Sequence, residues 1–431
     1  MGSVMSVTYH VGDTRDVTAG LADGSVSLVA CSPPFLALRS YLPPDHASKG
    51  AEIGAESDPA AFLDTLLGLT AEWGRVLAPW GSIAIELGDT YSGSGGGGGD
   101  YLAGGLREGQ QQFAGSAASM RESNAAHWRA KNANRSSWPD AKSLALVPQL
   151  YAVALAYGIN PLTGAVSPAG RWRVRNVIVW HRPNPAVGAL GDKFRPSTSY
   201  VVVATRDRGR WFDLSAVRGD PRPENARPGL GRFNASASVG HPVSGPRQID
   251  RGVATGAPPL DYWADEYDGH DAWSLTSQPS SLAHYAMWPA RLAERLVLSM
   301  CPAEVCGTCG EPRRRLERRE RTFDPVPGSA ARSVAARCGG LFGRAYEVKR
   351  ETLGWSDCGH GDYRAGVVLD PFAGTGTTLA VADIHGRDAV GIDIDERNRA
   401  LYPARRAECL RSLMKVAPEV PGQLDLFGSA S

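Results

Sequence analysis

The sequence predicts an α/β fold with a mostly parallel sheet, and three features support this prediction. The first 90 residues alternate short apolar runs with one amphipathic segment, which is the β-α-β order of such folds. A strand, a glycine-rich turn, a helix and a further strand follow one another between residues 367 and 393. In the middle of the chain, two Val-rich runs, 174–180 and 200–205, predict two more strands. The α/β pattern therefore extends to about residue 206 and returns after residue 364.

Local patterns predict the individual elements in order. Residues 25–31 form an apolar run that two prolines end, which is typical of a buried strand. Large apolar residues recur at helical spacing between 58 and 78, and a strand follows over 81–87. Helices are expected over 144–157 and over 289–300, and the second opens with a proline in its first turn, where a missing N–H is tolerated.

Charge and cysteine content narrow the class of protein. The 431 residues carry 46 Lys+Arg against 45 Asp+Glu, a formal net charge of +1, which excludes a uniformly basic coating protein and an acidic disordered chain. This length predicts two or three domains. No apolar run approaches the ~18 residues of a membrane helix, and no signal peptide is visible, so we expect a cytoplasmic protein. Five of the 7 Cys lie between 301 and 358, which favours metal binding over disulfides in a reducing compartment.

The glycine-rich turn near the C-terminus has the features of a nucleotide-like binding site. A strand, the turn 371–377 and a helix bring backbone N–H groups within reach of such a ligand. No Lys follows Gly376, as a phosphate-binding loop requires, and Leu379 stands where a dinucleotide-binding loop has its third glycine. The next strand ends in Asp393. At this position in the sequence relative to the turn, a carboxylate can accept the hydroxyls of a ribose.

A second motif, Ser32-Pro33-Pro34-Phe35, directly follows the first predicted strand. It resembles the catalytic motif of DNA amino-methyltransferases. The turn 370–377, Asp-Pro-Phe-Ala-Gly-Thr-Gly-Thr, resembles the S-adenosylmethionine loop of Rossmann-like methyltransferases. The catalytic motif comes first and the cofactor loop last, which is the permuted order of the β-class enzymes. The resemblance implies a Rossmann-like methyltransferase fold. It also implies an enzyme that uses S-adenosylmethionine and acts on double-stranded DNA.

Further segments fall where this family has them. Residues 11–13 resemble the segment whose Asp lies near the adenine of the cofactor, and residues 72–82 resemble the helix and turn after the catalytic strand. Residues 177–184 resemble a strand usually written Trp-x-Lys-Pro-Asn, and residues 283–289 resemble the segment that packs on the methionine half of the cofactor. Arg182 departs from the pattern because it occupies the usual Lys position, and no catalytic role is assigned to it.

The resemblance implies a role for each residue of the tetrapeptide. The exocyclic amine of cytosine or adenine is a poor nucleophile because its lone pair is delocalised into the ring. The Ser32 side chain and the Pro33 carbonyl would accept its hydrogens and localise that lone pair. Pro33 and Pro34 fix the direction of the carbonyl because each φ is locked, and Phe35 would stack on the flipped base. Cys31 lacks the preceding Pro of the cytosine-C5 enzymes, so a small buried side chain is expected there.

S-adenosylmethionine is the cofactor that the resemblance implies. The residues expected to bind it belong to the loop, to the strand end that follows the loop, and to two of the other family segments. They are Asp13, Tyr285, Asp370, Pro371, Phe372, Gly374, Gly376, Thr377 and Asp393.

Ser at position 32, rather than Asp, is typical of the enzymes that methylate N4 of cytosine. A hydroxyl can accept from the amine and donate to ring N3, whereas a carboxylate cannot donate. Adenine N1 would accept the same hydroxyl, so N6 of adenine remains an alternative acceptor. A non-catalytic nucleic-acid-binding module that keeps the fold is the alternative from another functional class.

The cysteine-rich segment has the spacing of a zinc site. Cys306-Gly-Thr-Cys309-Gly matches a zinc knuckle, and Cys358 with His360 would complete a structural Cys3His site, with Cys338 as the reserve ligand. A small zinc-ribbon-like insertion of this kind would stabilise an Arg-rich segment that has too few apolar residues to fold alone. The alternative is a set of scattered free thiols.

Together these patterns divide the chain into five segments and suggest its partners. The segments are 1–206, the catalytic half with a flexible insertion at about 92–142; 207–272, a loop-rich DNA-recognition region; 273–300, the methionine side of the cofactor; 301–364, the zinc insertion; and 365–431, the cofactor-binding half. Residues 206–251 hold 9 basic and 5 acidic side chains, and residues 311–350 hold 11 and 5. Positive charge outside the core is suited to DNA phosphates, and a cognate restriction endonuclease is a further expected partner.

Overall fold

A computed structural model describes residues 6–37, 41–42, 45–92, 137–182, 194, 196–218, 262–263, 288–323 and 346–414. These residues form one eight-stranded sheet, two small two-stranded sheets, and helices on both faces of the large sheet. Most of the predicted insertion at 92–142 and most of the predicted recognition region lie outside the described residues, as do Tyr285 and Cys338. The division into five segments stays a prediction.

The elements have the following bounds. The strands are β1 (Val7–Val11), β2 (Val26–Cys31), β3 (Leu77–Leu87), β4 (Arg173–His181), β5 (Thr198–Thr205), β6 (Tyr262–Trp263), β7 (Val305–Cys306), β8 (Arg315–Phe323), β9 (Tyr346–Trp355), β10 (Tyr363–Arg364), β11 (Val367–Asp370) and β12 (Asp388–Asp393). The α-helices are α1 (Thr14–Ala19), α2 (Pro59–Val76), α3 (Val147–Tyr157), α4 (Ala290–Met300), α5 (Thr377–Ile384), α6 (Glu396–Arg399) and α7 (Tyr402–Met414).

The large sheet has the strand order β1-β12-β11-β2-β3-β5-β4-β6. Its pairs are parallel except where β5 runs antiparallel to both β3 and β4. The predicted α/β fold with a mostly parallel sheet is therefore confirmed. Because β12, β11, β2 and β3 are parallel, their carboxyl ends meet at one edge, where ligands bind in open α/β sheets.

Helices cover both faces of this sheet, as parallel strands require. On one face, α2 and α3 bury Leu66, Trp73 and Tyr151 against the strands. On the other, α4 and α5 bury Leu296 and Leu379. Strands buried on both faces are rich in Val, Ile, Leu and Ala, which is why β2 was readable as a continuous apolar run.

Strand β3 begins earlier than the predicted strand 81–87. Val26 pairs with Leu77 and Leu28 pairs with Ser82, so a bulge in β3 absorbs the extra residues. Gly81 lies at this irregularity, where a Cβ atom would come within 2.9 Å of the Ser27 carbonyl oxygen. The bulge thus depends on a residue without a side chain.

The β8–β9 hairpin was not predicted from the sequence. Its strands pair antiparallel from Arg315 with Trp355 to Phe323 with Tyr346. Arg318 and Arg319 are both about two-thirds exposed, at 66% and 67% of their side chains. A hairpin that is charged in this way lacks the apolar alternation from which strands are recognised.

Candidate active site

The residue after β2 and a residue near the end of β3 form a partly buried hydrogen-bonded pair. Cys31 pairs with Ile85 across the two strands, which places Ser32 beside Glu86. The Ser32 hydroxyl donates a hydrogen bond of 2.5 Å to Oε2 of Glu86. Glu86 is only 2% exposed, whereas Ser32 is half-buried. The hydroxyl therefore lies at the edge of the sheet with an acid behind it.

Burial raises the pKa of Glu86, and the hydroxyl groups of Ser199 and Ser32 and the charge of Arg182 oppose that rise without cancelling it. A carboxyl group with a raised pKa accepts a proton more readily near neutral pH. Arg182, to which no catalytic role was assigned, is half-buried, lies 5.7 Å from the Trp180 ring centroid and donates to the Thr198 carbonyl. Its charge is part of the electrostatic environment of Glu86.

Sequence reasoning missed Glu86. The signal was present, because this acid stands in an otherwise apolar strand, and an ionisable residue in a buried strand is a candidate for function. Its partner could not be read from the sequence, because only the pairing of β2 with β3 brings the two side chains together.

Two close contacts of Phe35 with glycines hold the rest of the tetrapeptide in place. The Phe35 ring lies against Gly88, where a Cβ atom would come within 2.5 Å of the ring. Gly54, at φ +89°, lies against the Phe35 carbonyl oxygen and also accepts from the Ala37 amide at 2.7 Å. Pro33 is buried, while Pro34 and Phe35 are half-buried. The loop is thus fixed in place, and Phe35 stays partly exposed.

Cys31, directly before the tetrapeptide, is fully buried at the end of β2. Burial raises the pKa of its thiol well above the usual value, which disfavours the thiolate. The expectation of a buried side chain is confirmed.

The glycine turn after β11 lies next to the tetrapeptide. Leu369 pairs with Val29, so Asp370 ends its strand beside Ala30, two residues before Ser32. Gly374 and Gly376 have φ values of +52° and +87°, which side chains other than glycine rarely adopt. The strand, turn and helix predicted here are confirmed, with α5 opening at Thr377.

Two carboxyl groups hold this turn through backbone amides. Asp370 accepts from the Phe372 amide at 3.0 Å, and Asp393 accepts from the Gly374 amide at 2.8 Å. Burial raises the pKa of Asp370 to about 7 and that of Asp393 to about 6. The Tyr9 hydroxyl donates to the Gly374 carbonyl, and burial raises the pKa of that hydroxyl so that it stays a donor.

The donor and acceptor set at Asp393 fits the ribose of a nucleoside cofactor. Its carboxylate accepts from Gly374, from the Asp395 amide at 2.8 Å and from the Asn398 side chain at 3.1 Å. A carboxylate has about four acceptor positions, so one is left for a hydroxyl. Oδ1 of Asn398 is buried and has no hydrogen-bond partner among the described residues, which offers a second acceptor there.

The other residues expected to bind the cofactor have structural partners. Asp13 caps α1, lies next to the end of β12 and forms an ion pair of 2.6 Å with Arg15. Thr377 accepts from the buried Arg405 at 2.9 Å. The Phe372 ring packs edge to face on Trp73, with 6.4 Å between centroids. These residues shape the turn, and their contact with a cofactor stays a prediction.

The predicted zinc ligands also come together. The ligand atoms of Cys306, Cys309, Cys358 and His360 all lie within 4.8 Å of one another.

The structure describes part of the predicted recognition region, residues 207–218. This part packs on the core, where Trp211 is 2% exposed and Arg210 stacks on Phe212 at 4.2 Å. Among the helices of the described residues, none is both long and apolar enough to cross a bilayer.

Comparison with known proteins finds type II methyltransferases that are similar to this chain. The type II methyltransferase M.SfiI of Streptomyces fimbriatus is 27% identical over 209 residues, which are 48% of this chain and 38% of the relative. The chain thus spans well under half the length of that relative. M.SmaI of Serratia marcescens, also a type II methyltransferase, is 20% identical over 403 residues, with 94% of this chain and 91% of the relative covered.

Among solved structures, the PvuII DNA methyltransferase, described as cytosine-N4-specific, is 12% identical with a TM-score of 0.45. The match covers 95% of this chain and 92% of that one. A family model described as DNA methylase matches residues 26–329 and 362–401. This match covers well over half of the chain, and the protein therefore belongs to the DNA methylase family of N6/N4 methyltransferases.

Proposed function

We propose that the chain is a site-specific DNA methyltransferase that methylates the exocyclic amine of a flipped base. The favoured acceptor is N4 of cytosine. Ser32 directly follows β2, the strand that pairs with β11 beside the glycine turn. The observation that carries this proposal is the hydrogen bond from Ser32 to the buried Glu86 on β3. It joins a group that can bind an amine to a group that can take its proton, at the sheet edge where a cofactor binds.

S-adenosylmethionine would supply an electrophilic methyl group on its sulfonium. Asp393 and Asn398 would hold the ribose, and the turn from Asp370 to Thr377 would lie under the nucleoside. Asp13, at the neighbouring strand end, would lie near the adenine, and Tyr285 would contact the methionine half. The assignments of Asp13 and Asp393 rest on the family resemblance together with their positions, that of Tyr285 rests on the resemblance alone, and that of Asn398 rests on its contact with Asp393.

Ser32 and Pro33 would activate the acceptor amine. The Ser32 proton is directed at Glu86, so the lone pairs of Oγ are free to accept an amine hydrogen. The Pro33 carbonyl would accept the second hydrogen, and Pro33 and Pro34 fix its direction. Two acceptors pull the nitrogen toward tetrahedral geometry and make its lone pair available for in-line attack.

Glu86 would take the proton that the amine loses. Methyl transfer leaves a positive charge on the nitrogen, and one N–H proton then passes to Ser32 Oγ while the Ser32 proton passes to Oε2 of Glu86. The raised pKa of Glu86 favours this direction of transfer. Phe35, held against Gly88, would stack on the flipped base during these steps.

The hydrogen bond between Ser32 and Glu86 bears on the choice of base. One reason to favour cytosine is that the Ser32 hydroxyl could donate to ring N3, but that proton is directed at Glu86. The serine form of the tetrapeptide still favours cytosine N4 through the family resemblance. The Ser32–Glu86 pair would serve an adenine N6 amine equally well, so adenine is the second candidate.

The wider biological setting follows from the same proposal. We infer the motif order of β-class enzymes, because the tetrapeptide comes before the glycine turn in the chain. The expected substrate is double-stranded DNA, which the Arg-rich region 207–272 would recognise. The expected location is the cytoplasm, and the expected partner is a cognate restriction endonuclease.

A labelled-methyl transfer assay on mixed-sequence duplex DNA tests the proposal. Incorporation into DNA, lost on heating the protein, is the expected result. DNA binding without incorporation in the presence of S-adenosylmethionine would instead identify a non-catalytic nucleic-acid-binding module. Incorporation into RNA or protein but not DNA would overturn the substrate assignment.

A further inference from the structure

The cysteine cluster lies outside the proposed active site and is built from two segments distant in sequence. Strands β7 and β10 pair antiparallel, with Cys306 opposite Tyr363. The turn after β7 carries Cys309, and the segment before β10 carries Cys358 and His360. One short strand pair therefore brings both halves of the cluster to the same point.

We propose that Cys306, Cys309, Cys358 and His360 bind one structural zinc ion. In a tetrahedral site with Zn–S of ~2.3 Å and Zn–N of ~2.0 Å, the ligand atoms lie ~3.5 to 3.8 Å apart. Sγ of Cys306 lies 3.5 Å from Nδ1 of His360, and all four ligand atoms lie within 4.8 Å of one another. Three thiolates and one imidazole in such a cluster favour zinc over harder divalent cations.

The backbone around Cys306 has the form of a zinc knuckle. The Cys309 amide donates to the Cys306 sulfur at 3.4 Å, and the Gly310 amide donates to the Cys306 carbonyl at 3.0 Å. Gly310 adopts φ +72°, which closes the turn, and the Asp362 carboxylate lies against Gly307. Amide donors to sulfur stabilise the thiolate form that a metal needs.

A second set of contacts orients the other half of the cluster. The Tyr363 hydroxyl donates to the Asp357 carboxylate at 2.6 Å and lies 3.6 Å from the Cys358 sulfur. The Gly359 amide donates to the same carboxylate at 2.8 Å. Partners beyond the ligands are typical of built metal sites, because they fix the direction of each ligand.

The zinc would fix the base of the β8–β9 hairpin to the core. The hairpin begins just after the knuckle and ends just before Cys358. The Trp80 indole donates to the Gly310 carbonyl at 3.0 Å, and Arg315 forms an ion pair of 2.7 Å with Asp213. A segment so rich in charge has little apolar core of its own, and a metal supplies the missing stability.

Metal analysis of the full-length protein, purified under reducing conditions, tests this proposal. One zinc per chain is expected, and a chelator that removes it should lower the midpoint of thermal unfolding. Cys309→Ser and Cys358→Ser should each lose most of the zinc. Cys409→Ala, at a buried thiol on α7, is the matched control and should keep one zinc per chain.

Cobalt substitution keeps the test valid if the cysteine variants do not fold. The wild-type protein loaded with Co²⁺ should show the intense visible bands of a tetrahedral thiolate site. A protein that takes up neither zinc nor cobalt on anaerobic reconstitution would overturn the proposal, as would zinc retained after both cysteines are replaced. Binding of S-adenosylmethionine, measured on the same samples, is independent of the result because the glycine turn contains none of these ligands.

Discussion

Both halves of the proposed active site place buried carboxyl groups at strand ends, but the groups that donate hydrogen bonds to these carboxyl groups differ. On the catalytic half, Glu86 is bonded to the hydroxyl of Ser32. On the cofactor half, Asp370 and Asp393 accept hydrogen bonds from amide groups, those of the Phe372 and Gly374 backbone and of the Asn398 side chain. Burial raises the pKa in all three cases.

The difference teaches what each carboxyl group can do. A backbone amide cannot give up its proton, so a carboxylate bonded to it serves as a fixed acceptor that shapes a binding site. A hydroxyl can pass its proton on, so a carboxyl group bonded to it can act in proton transfer. Substitutions on the catalytic half should therefore change turnover, and substitutions on the cofactor half should change cofactor affinity.

The largest expected effect is that of Ser32→Ala. We expect turnover to fall about 10³-fold, because the amine loses an acceptor and the path to Glu86 is broken. The dissociation constant for S-adenosylmethionine should stay within about twofold, measured by calorimetry. Ser82→Ala is the matched control, because Ser82 is buried on β3 and its hydroxyl has no partner among the described residues. An equal loss in both variants would contradict the role of Ser32.

Glu86→Gln should lower turnover by about 10²-fold, because an amide can hold the Ser32 hydroxyl but cannot take its proton. The measurement is single-turnover methyl transfer, which isolates the chemical step from product release. Glu72→Gln, at a partly exposed acid paired with Arg75, serves as the control and should leave the rate unchanged. If Glu86→Gln weakened cofactor binding and left the chemical step intact, the two halves would not differ as described.

On the cofactor half, Asp393→Asn should weaken S-adenosylmethionine binding about 10- to 100-fold, the value of one charge-assisted hydrogen bond. Single-turnover rates at saturating cofactor should change much less. The control is Asp388→Asn at the opposite end of the same strand, where the side chain accepts from the Ser6 amide. A fall in rate without a change in affinity would place Asp393 in the chemistry instead.

The smallest effect expected is a pH dependence of cofactor affinity. The pKa of Asp393 is raised to about 6, so its carboxylate, the form that accepts a ribose hydroxyl, is present above that pH and is lost as the pH falls through it. Affinity should fall about tenfold between pH 7 and pH 5. Calorimetry at several pH values measures this, and Asp393→Asn should flatten the profile. An unchanged slope in that variant would assign the dependence to another group.

The sequence allowed prediction of the parts of the site that depend on local patterns. The tetrapeptide, the glycine turn and the strand ending in Asp393 are each continuous in the sequence. Their residue types indicate the conformation of the backbone. The four metal-ligand candidates were readable from their spacing in the chain.

What could not be predicted depends on pairing between distant segments. Glu86 acquires its partner only through the register of β2 with β3, and the bulge at Gly81 sets that register. The β8–β9 hairpin is charged on exposed positions and lacks the alternation that identifies a strand. The hydrogen bond from Asn398 to Asp393 comes from α6, and no spacing rule in the sequence indicates it.

Mass spectrometry of nucleosides from DNA methylated by the protein tests the central claim most directly, because it identifies the atom that receives the methyl group. We expect N4-methylcytosine in DNA treated with the wild-type protein and none above background with Ser32→Ala. N6-methyladenine would contradict the assignment of the base. Methylation at carbon 5 of cytosine, or a product that persists in Ser32→Ala, would contradict amine activation by the Ser32–Glu86 pair.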